Sequence, residues 1–486
     1  MSLSDAAARG AGVTLATQAV RIALQFGSMV VLARLLSPED FGLIAMVTAV
    51  IGIADLIRDF GLSSAAIQAK TLTVPERDNL FWLNSGLGLV CGLIAVAASP
   101  LIVGLYGEPR LAAIVPALAT VFFVSGLNTQ YRAGLSRELR FGALAGADIV
   151  SQLIGIAVAV GLAVDGWDYW AIVAQQVVVA VIALIANSYN CRWLPGAPNR
   201  KVSVRRFMRF GGGLLGTQVI SYATKNIDNV LLGAVWGAGA LGLYSRAYQL
   251  LMMPLNQINA PMTRVALPVL SRIQDDGEQY SRYLQRAQLV ACYVTATVFA
   301  VACVLAEPLT LVLFGEQWLG LAPIFAVLAL GGVFRALVQI AYWIYLSKGR
   351  TGAQLRLELW VRPLMIGVIA AGLPWGAVGI AAGHSVAYFG YWAASFWAVG
   401  RDTGVRTSPL VRKTVSSLLL VSLPAAAGAY LITLLDVAPL AVLVLGSVTG
   451  LTMVGLIALV VPAVREDFKL LYRFARRAAG GWRRRA

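Results

Sequence analysis

GAGVTLATQAVRIALQFGSMVVLARLLSPEDFGLI at residues 10–44 aligns without a gap on FGGGLLGTQVISYATKNIDNVLLGAVWGAGALGLY at residues 210–244. Nine of the 35 aligned positions are identical, and the apolar composition explains part of that score. Two shared dipeptides in one register are harder to obtain by chance: Thr17-Gln18 with Thr217-Gln218, and Gly42-Leu43 with Gly242-Leu243. The alignment therefore predicts an internal repeat, in which the segment from residue 210 is the counterpart of the first segment of the chain.

The composition predicts that this repeat lies in a membrane. Apolar residues make up 59% of the 486 positions and charged residues only 13%, about half of the roughly 25% found in soluble domains. At ~20 residues for each crossing, this content is enough for about fourteen transmembrane helices. The predicted spans cover residues 13–36, 41–67, 79–105, 111–131, 143–164, 168–190, 211–235, 240–262, 284–306, 321–346, 354–373, 376–399, 414–434 and 438–462.

The repeat and the span count together predict the domain organisation. Because span 7 is the counterpart of span 1, spans 1–6 and 7–12 form two like six-helix bundles around a central cavity, with two extra C-terminal helices. The predicted segments are an N-terminal bundle at 1–190, a basic cytoplasmic linker at 191–210, a C-terminal bundle at 211–400, helices 13 and 14 at 401–462 and a basic cytoplasmic tail at 463–486. The predicted fold class is an all-α integral membrane protein.

The distribution of charge predicts the orientation of the chain. The sequence has 39 Lys and Arg against 23 Asp and Glu, a net charge of +16. Most of these cations fall in alternate loops, on the side that also holds both termini, whereas Arg110 is the one cation in the loops of the other side. Positively charged loops stay in the cytoplasm during insertion, so both termini are predicted to be cytoplasmic. We expect the basic loops at 191–210 and 263–283 and the tail to contact anionic lipids along the headgroups.

Several classes of protein are disfavoured by the same sequence. Four separated cysteines and the single histidine, His384, suit neither a disulfide scaffold nor a metal site, and no cofactor is predicted. The motifs GxxxxGK[ST], GxSxG and HExxH are missing, and no loop is long enough for a catalytic domain. A chain this apolar also leaves little soluble surface for nucleic acid. The sequence therefore predicts neither an enzyme nor a nucleic-acid-binding protein.

Charged residues inside the predicted spans are candidate functional groups, because an intramembrane charge is costly unless it is paired or hydrated. Six basic residues qualify: Arg21, Arg34, Lys225, Arg246, Arg335 and Arg362. We expect snorkelling or packing for Arg34 and Arg362. The remaining four are predicted to lack counter-ions and to line a cavity, which indicates an anionic passenger bound by charge-assisted hydrogen bonds.

Polar residues at helical spacing extend this candidate site. Span 1 carries a polar stripe that includes Gln18 and Arg21, and the repeat places it opposite a polar face of span 7 with Gln218 and Tyr222. Lys225 and Asp228 are three residues apart, hence neighbours on that face. Asp55 and Asp59 flank Arg58 in span 2, where mutual neutralisation is the favoured interpretation. Ion coupling through Asp55, Asp59 or Asp228 is the alternative hypothesis, and His384 is expected to be a packed core residue.

Four motifs resemble those of the lipopolysaccharide/exopolysaccharide flippases. They are LARLLSPEDFGLIAM at residues 32–46, DFGLSS at 59–64, GLYSRA at 242–247 and LSKGRT at 346–351. These flippases are the Wzx-like, polysaccharide-transporter branch of the multidrug/oligosaccharidyl-lipid/polysaccharide exporter superfamily. The resemblance covers essentially the whole chain and is consistent with fourteen spans.

The resemblance implies a substrate and a mechanism. The substrate it implies is an undecaprenyl-pyrophosphate-linked oligosaccharide, moved by alternating access from the cytoplasmic to the outer leaflet of the bacterial inner membrane for cell-surface polysaccharide biosynthesis. Other polysaccharide assembly proteins are further candidate partners. The alternatives are an ion-coupled multidrug or small-molecule exporter of the same superfamily, a membrane polymerase or glycosyltransferase, and a scaffold within a polysaccharide assembly machine.

Overall fold

In a computed structural model, the described part of the chain is predominantly helical and contains no strand. The structure describes the backbone of residues 3–59, 61–69 and 71–470, and their side chains except those of 3–16, 206, 209–221, 223–224 and 260–261. Within these residues, eleven helical segments are long and apolar enough to cross a membrane. The prediction of an all-α multi-pass membrane protein is confirmed.

The helices follow one another with short connections, apart from residues 192–204 between α7 and α8. They are α1 (Leu3–Leu35), α2 (Pro38–Asp59), α3 (Leu62–Gln68), α4 (Val74–Tyr106), α5 (Leu111–Arg137), α6 (Phe141–Val164), α7 (Tyr169–Cys191), α8 (Arg205–Arg272), α9 (Gly277–Ala291), α10 (Thr297–Val304), α11 (Ala306–Leu313), α12 (Leu321–Ser347), α13 (Thr351–Ala371), α14 (Gly376–Thr403), α15 (Ser408–Ser417), α16 (Leu423–Thr433) and α17 (Pro439–Val460). One turn of π-helix joins α9 to α10 at Cys292–Ala296, and another joins α15 to α16 at Leu418–Ser422.

The predicted spans each have a helical counterpart in this order. Two of the eleven membrane-length segments, Lys225–Arg272 and Thr351–Thr403, hold two predicted spans each, and α1 corresponds to span 1. The prediction of a basic loop at 263–283 is wrong, because residues 263–272 continue α8 and only residues 273–276 connect it to α9. The basic side chains of that stretch therefore lie on helices.

A break in α8 corresponds, in the repeat alignment, to the turn between α1 and α2. Gly237 has φ 78° and ψ −175°, which interrupts the helix within Arg205–Arg272. The alignment pairs Gly237 with Ser37, the residue between α1 and α2. A glycine is suited to this position because the left-handed region of φ carries little steric cost without a β-carbon. The break thus separates two helical arms that correspond to α1 and α2.

The chain divides into two compact units, residues Met1–Gly242 and Leu243–Ala486. This division lies inside α8, whereas the sequence predicts a linker at 191–210, and the two predicted six-helix bundles stay a prediction. In the first unit, α4 and α5 pack with their backbones in close approach. A β-carbon on Gly88 would lie 2.6 Å from the carbonyl oxygen of Phe122, and one on Gly126 would lie 2.7 Å from that of Asn84. Small residues at a helix crossing permit this approach in membrane proteins.

In the second unit, the C-terminal helices are joined to α9 by buried polar contacts. The Gln288 amide donates to the carbonyl of Leu410 at 2.7 Å and to the hydroxyl of Thr414 at 2.6 Å. Gln288 and Thr414 are both fully buried. These bonds fix α15 against α9, next to the two π-helical turns.

Candidate functional site

The first unit contains a polar cavity of about 320 Å³ between α2, α3 and α5. Its lining consists of two arginines, one acid, five small polar side chains and two apolar residues: Arg58, Arg132, Asp59, Ser63, Ser125, Asn128, Thr129, Ser136, Ile67 and Ala133. We call it the basic cavity. A volume of this size is in the range of small-ligand sites, of about 300–1,000 Å³.

Arg58 of α2 reaches the basic cavity with its guanidinium fixed by two partners. Its Nε donates to Asp55 Oδ1 at 3.0 Å, and its Nη1 donates to Thr129 Oγ1 at 2.8 Å. The Thr129 hydroxyl in turn donates to the carbonyl of Ser125, at 2.9 Å. The predicted neutralisation of Arg58 within span 2 is therefore observed for Asp55. Asp59 instead accepts a hydrogen bond from Ser63 at 3.0 Å.

A network of buried amides supports the wall of the cavity. Asn187 of α7 donates to Asn128 Oδ1 at 3.1 Å, and Gln130 donates to Asn84 Oδ1 at 2.8 Å. The Asn84 amide also donates to the backbone carbonyl of Arg58 at 3.3 Å. Asn84, Gln130 and Asn187 are at most 1% exposed. Buried amides with partners on other helices restrict rotation, so the network holds the cavity-lining positions on α2 and α5 in place.

Arg132, the second arginine of the cavity, shares a carboxylate with Arg21. Arg132 Nη1 donates to Asp148 Oδ1 at 2.5 Å, and its Nη2 donates to Asp148 Oδ2 at 3.4 Å. Arg21 Nη1 lies 3.5 Å from Asp148 Oδ2. The prediction that Arg21 lacks a counter-ion is wrong, because Asp148 of α6 faces α1 and α5 at this depth. Three helices thus bring two guanidiniums to one carboxylate.

In the second unit, Arg335 of α12 lies among aromatic side chains of α8 and α14. Its Nη1 donates to the hydroxyl of Tyr248 at 2.7 Å and contacts His384 Nε2 at 3.1 Å. The guanidinium carbon is 5.3 Å from the ring centre of Tyr248 and 4.7 Å from that of Tyr388. Arginine is always a donor, so His384 Nε2 accepts here and the imidazole is neutral. In the described part of the chain, no acid lies within ion-pair distance of Arg335. His384 is buried as predicted, and it also positions this cation.

The other predicted site residues are spread over both units. Tyr222 of α8 donates its hydroxyl to the carbonyl of Thr48 at 2.6 Å, which ties it to α2. Gln18 and Lys225 are exposed and Asp228 is buried, all in the first unit, whereas Arg246 is half-buried in the second. The side chain of Gln218 lies outside the described residues. The structure thus joins Arg21 to Asp148, and Arg335 to its aromatic neighbours, and the roles of the remaining residues stay predictions.

The sequence did not indicate the basic cavity, because Arg132 is not among the predicted intramembrane cations and Arg58 was interpreted as neutralised by its neighbours. A signal was present in α5, where the cavity-lining residues Ser125, Thr129, Arg132 and Ser136 follow one another at steps of three or four. Residues at this spacing lie on one face of a helix, as do those of the polar stripe predicted in span 1. A polar face on a 27-residue apolar helix is not expected toward lipid.

The basic cavity and the Arg335 cluster are suited to binding anions rather than metals. Arginine forms paired hydrogen bonds with phosphate and carboxylate groups, and hydroxyl and amide groups add further donors. Within the described residues, no group of three His, Cys, Asp or Glu side chains is placed to ligate a metal ion.

Similar proteins are found by sequence and by structure. Residues 31–323 match the family described as polysaccharide biosynthesis protein. The lipopolysaccharide biosynthesis protein WzxC of Escherichia coli is 28% identical over 390 residues, which are 79% of this chain and 78% of that protein. The teichuronic acid biosynthesis protein TuaB of Bacillus subtilis is 29% identical over 305 residues, 61% of this chain and 62% of that protein.

Two solved structures have a similar fold. The lipid II flippase MurJ, in an inward closed conformation, aligns with a TM-score of 0.71 at 15% identity, over 91% of this chain and 97% of that one. An inward-facing multidrug resistance transporter of the MATE family aligns with a TM-score of 0.58 at 15% identity, over 80% and 95%. The family match covers more than half of the chain and contains three of the four motifs, and this chain therefore belongs to the family of polysaccharide biosynthesis proteins.

Proposed function

We propose that this protein is a flippase that moves an undecaprenyl-pyrophosphate-linked oligosaccharide from the cytoplasmic to the outer leaflet of the bacterial inner membrane. The single observation that carries the proposal is the basic cavity, a polar site with two arginines that is lined by α2, α3 and α5. The family and the names of the relatives from Escherichia coli and Bacillus subtilis support transport in polysaccharide biosynthesis. Such a protein moves its substrate without forming or breaking a covalent bond, so no catalytic residue is proposed.

The pyrophosphate is the group that the cavity chemistry recognises. Arg58 and Arg132 supply guanidinium donors, Asn128 and Ser136 supply neutral hydrogen-bonding groups on the same wall, and Thr129 orients Arg58. In a partly dehydrated cavity such charge-assisted bonds are stronger than they are in water. The apolar polyprenyl tail remains in lipid, while hydroxyl and amide groups suit the first sugar.

Transport follows the alternating-access scheme that two repeated bundles permit. We infer that both termini are cytoplasmic, since this orientation places most Lys and Arg in cytoplasmic loops. The cationic linker at 191–210 and the tail at 463–486 then face the anionic inner leaflet. Lys225, Arg246 and Arg335 are proposed as further substrate-binding cations, with Gln18, Gln218 and Tyr222 as polar contacts.

Ion coupling through Asp55, Asp59 or Asp228 is proposed as the energy source. Replacing all three with Asn removes the three titratable carboxylates and should abolish the response of transport to the membrane potential and to ion gradients. Transport that keeps this response in the triple variant contradicts the coupling proposal and leaves the flippase proposal intact.

The decisive experiment is deletion of the gene in its host, followed by lipid analysis. We expect lipid-linked oligosaccharides to accumulate on the cytoplasmic leaflet and a plasmid copy to restore their distribution. Arg58→Gln and Arg132→Gln copies should fail to restore it, while Arg282→Gln should succeed, because Arg282 pairs with Glu278 on an exposed helix face. An unaltered distribution of these lipids between the leaflets after deletion would contradict the proposal. If the Arg58→Gln and Arg132→Gln variants both still export cationic drugs, the protein is instead a multidrug exporter.

A further inference from the structure

Asp148 occupies the place where an anionic ligand of two arginines would lie. It is on α6, while Arg132 comes from α5 and Arg21 from α1. Arg132 forms a two-pronged contact with both carboxylate oxygens, at 2.5 and 3.4 Å, and Arg21 approaches one of them to 3.5 Å. Among the residues that the structure describes, Asp148 is the only acid within 4.0 Å of either guanidinium.

The contact with Asp148 leaves excess positive charge and excess hydrogen-bond donors on Arg21 and Arg132. One carboxylate between two guanidiniums gives this group a net charge of +1. The Asp148 side chain is 21% exposed, whereas those of Arg21 and Arg132 are 55% and 42% exposed, so the arginines remain open to another ligand. At 3.5 Å, the approach of Arg21 is an ion pair without a good hydrogen bond.

We propose that Asp148 is an internal counter-anion that the pyrophosphate of the substrate displaces. This inference rests on the proposed function, because it assigns a role to an acid next to the proposed phosphate site. A pyrophosphate diester carries two negative charges and more acceptor oxygens than a carboxylate, so it satisfies Arg21 and Arg132 together. The planar guanidinium fork matches the geometry of both carboxylate and phosphate groups, so either anion fits the same donors.

The exchange of Asp148 for the pyrophosphate explains why a transporter has an acid at a site that binds an anion. In the empty protein, Asp148 compensates two cations that would otherwise be costly inside apolar helices. With substrate bound, the carboxylate competes for the same donors, which weakens binding and speeds release. A transporter needs a site that binds well enough to load and weakly enough to unload.

This competition predicts opposite effects on affinity and on turnover. The neutral variants Asp148→Asn and Asp148→Ser remove the competing charge, so each should bind pyrophosphate roughly fivefold more tightly and transport several-fold more slowly. Asp148→Glu keeps the charge and should bind within about twofold of wild type. A purely structural role for Asp148 would instead weaken both binding and transport.

Binding is measured on the full-length protein in lipid nanodiscs, with farnesyl pyrophosphate as the probe. Inorganic pyrophosphate is titrated in parallel, which separates recognition of the headgroup from recognition of the prenyl chain. Glu278→Gln is the matched control, because it removes a carboxylate from an exposed ion pair with Arg282 and should leave the Kd unchanged. Thermal unfolding of each variant identifies those that fold, and the Ser variant serves if the Asn variant does not.

The outcomes separate this inference from the proposed function. If wild type binds farnesyl pyrophosphate and the neutral variants bind it equally or more weakly, the counter-anion role is wrong and the flippase proposal stands. If wild type binds neither pyrophosphate probe, the phosphate site and the role of Asp148 fail together. Tighter binding by the neutral variants, combined with slower transport, supports the inference.

Discussion

Gly42 and Gly242, which the repeat alignment pairs, make the same backbone contact in opposite directions. Gly42 lies against the carbonyl group of Ala238, and Gly242 lies against that of Pro38. The same alignment pairs Pro38 with Ala238, so each glycine contacts the residue four positions before its own counterpart. A reciprocal contact of this kind is what a local two-fold relation between repeated segments produces.

The contact predicts that Gly242 tolerates no side chain. A β-carbon there would overlap the carbonyl of Pro38 and lie 3.1 Å from the amide nitrogen of Gly42. Both obstacles are backbone atoms, so Gly242→Ala should destabilise the protein by roughly 1–3 kcal/mol, measured by thermal unfolding in detergent. Gly239→Ala is the control, since a β-carbon on Gly239 meets nothing within 4 Å. Equal unfolding temperatures for both variants would contradict the packing.

The sequence predicted features that depend on local pattern. Apolar runs predicted helices near their observed bounds, and the observed break at Gly237 lies in the gap between predicted spans 7 and 8. These two features depend only on residues that are close in sequence. They do not depend on which helices contact each other.

The sequence could not predict which helices pack against each other, because a list of spans does not give their arrangement in space. Asp148 lies near the start of the predicted span at 143–164, and its pairing with Arg21 depends on α6 packing beside α1. The same applies to His384, whose role follows from the approach of α12 to α14 and of Arg335 to its ring. Counter-ions that come from another helix have no fixed sequence offset, so counting charges within one span overstates how many are unpaired.

Thr129 is predicted to set the orientation of Arg58 in the basic cavity. Thr129→Val keeps the shape and removes the hydroxyl that accepts from Arg58 Nη1 at 2.8 Å. Losing one hydrogen bond to a charged group should weaken farnesyl pyrophosphate binding by roughly 1.5–3 kcal/mol, seen as a higher Kd in nanodiscs. Thr129→Ser keeps the hydroxyl and should bind as wild type does. A Val variant with wild-type affinity would show that Arg58 needs no such support.

Arg335 is predicted to act through its shape as well as its charge. Its guanidinium donates to Tyr248, contacts His384 and lies over two tyrosine rings, and a lysine ammonium cannot make this set of contacts. Arg335→Lys should therefore lower transport by about tenfold or more, a change of ~1.4 kcal/mol, measured as leaflet distribution of lipid-linked oligosaccharide. Arg282→Lys, at an exposed pair, should have no effect. Full activity of Arg335→Lys would mean that charge alone matters.

Asn84 is predicted to couple the stability of α4 and α5 to the geometry of the basic cavity. Its amide accepts from Gln130 at 2.8 Å and donates to the carbonyl of Arg58 at 3.3 Å, and the side chain is fully buried. Asn84→Ala removes both bonds and leaves the Gln130 amide without that partner, which should lower the free energy of unfolding by roughly 1–3 kcal/mol. Thermal unfolding in detergent measures the loss.

Thr120→Val is the control on α5, because the exposed Thr120 hydroxyl bonds only within its own helix. If Asn84→Ala unfolds at the wild-type temperature, the amide network does not hold the cavity wall. If it unfolds earlier and also binds farnesyl pyrophosphate more weakly, the network links the packing of the helices to the site.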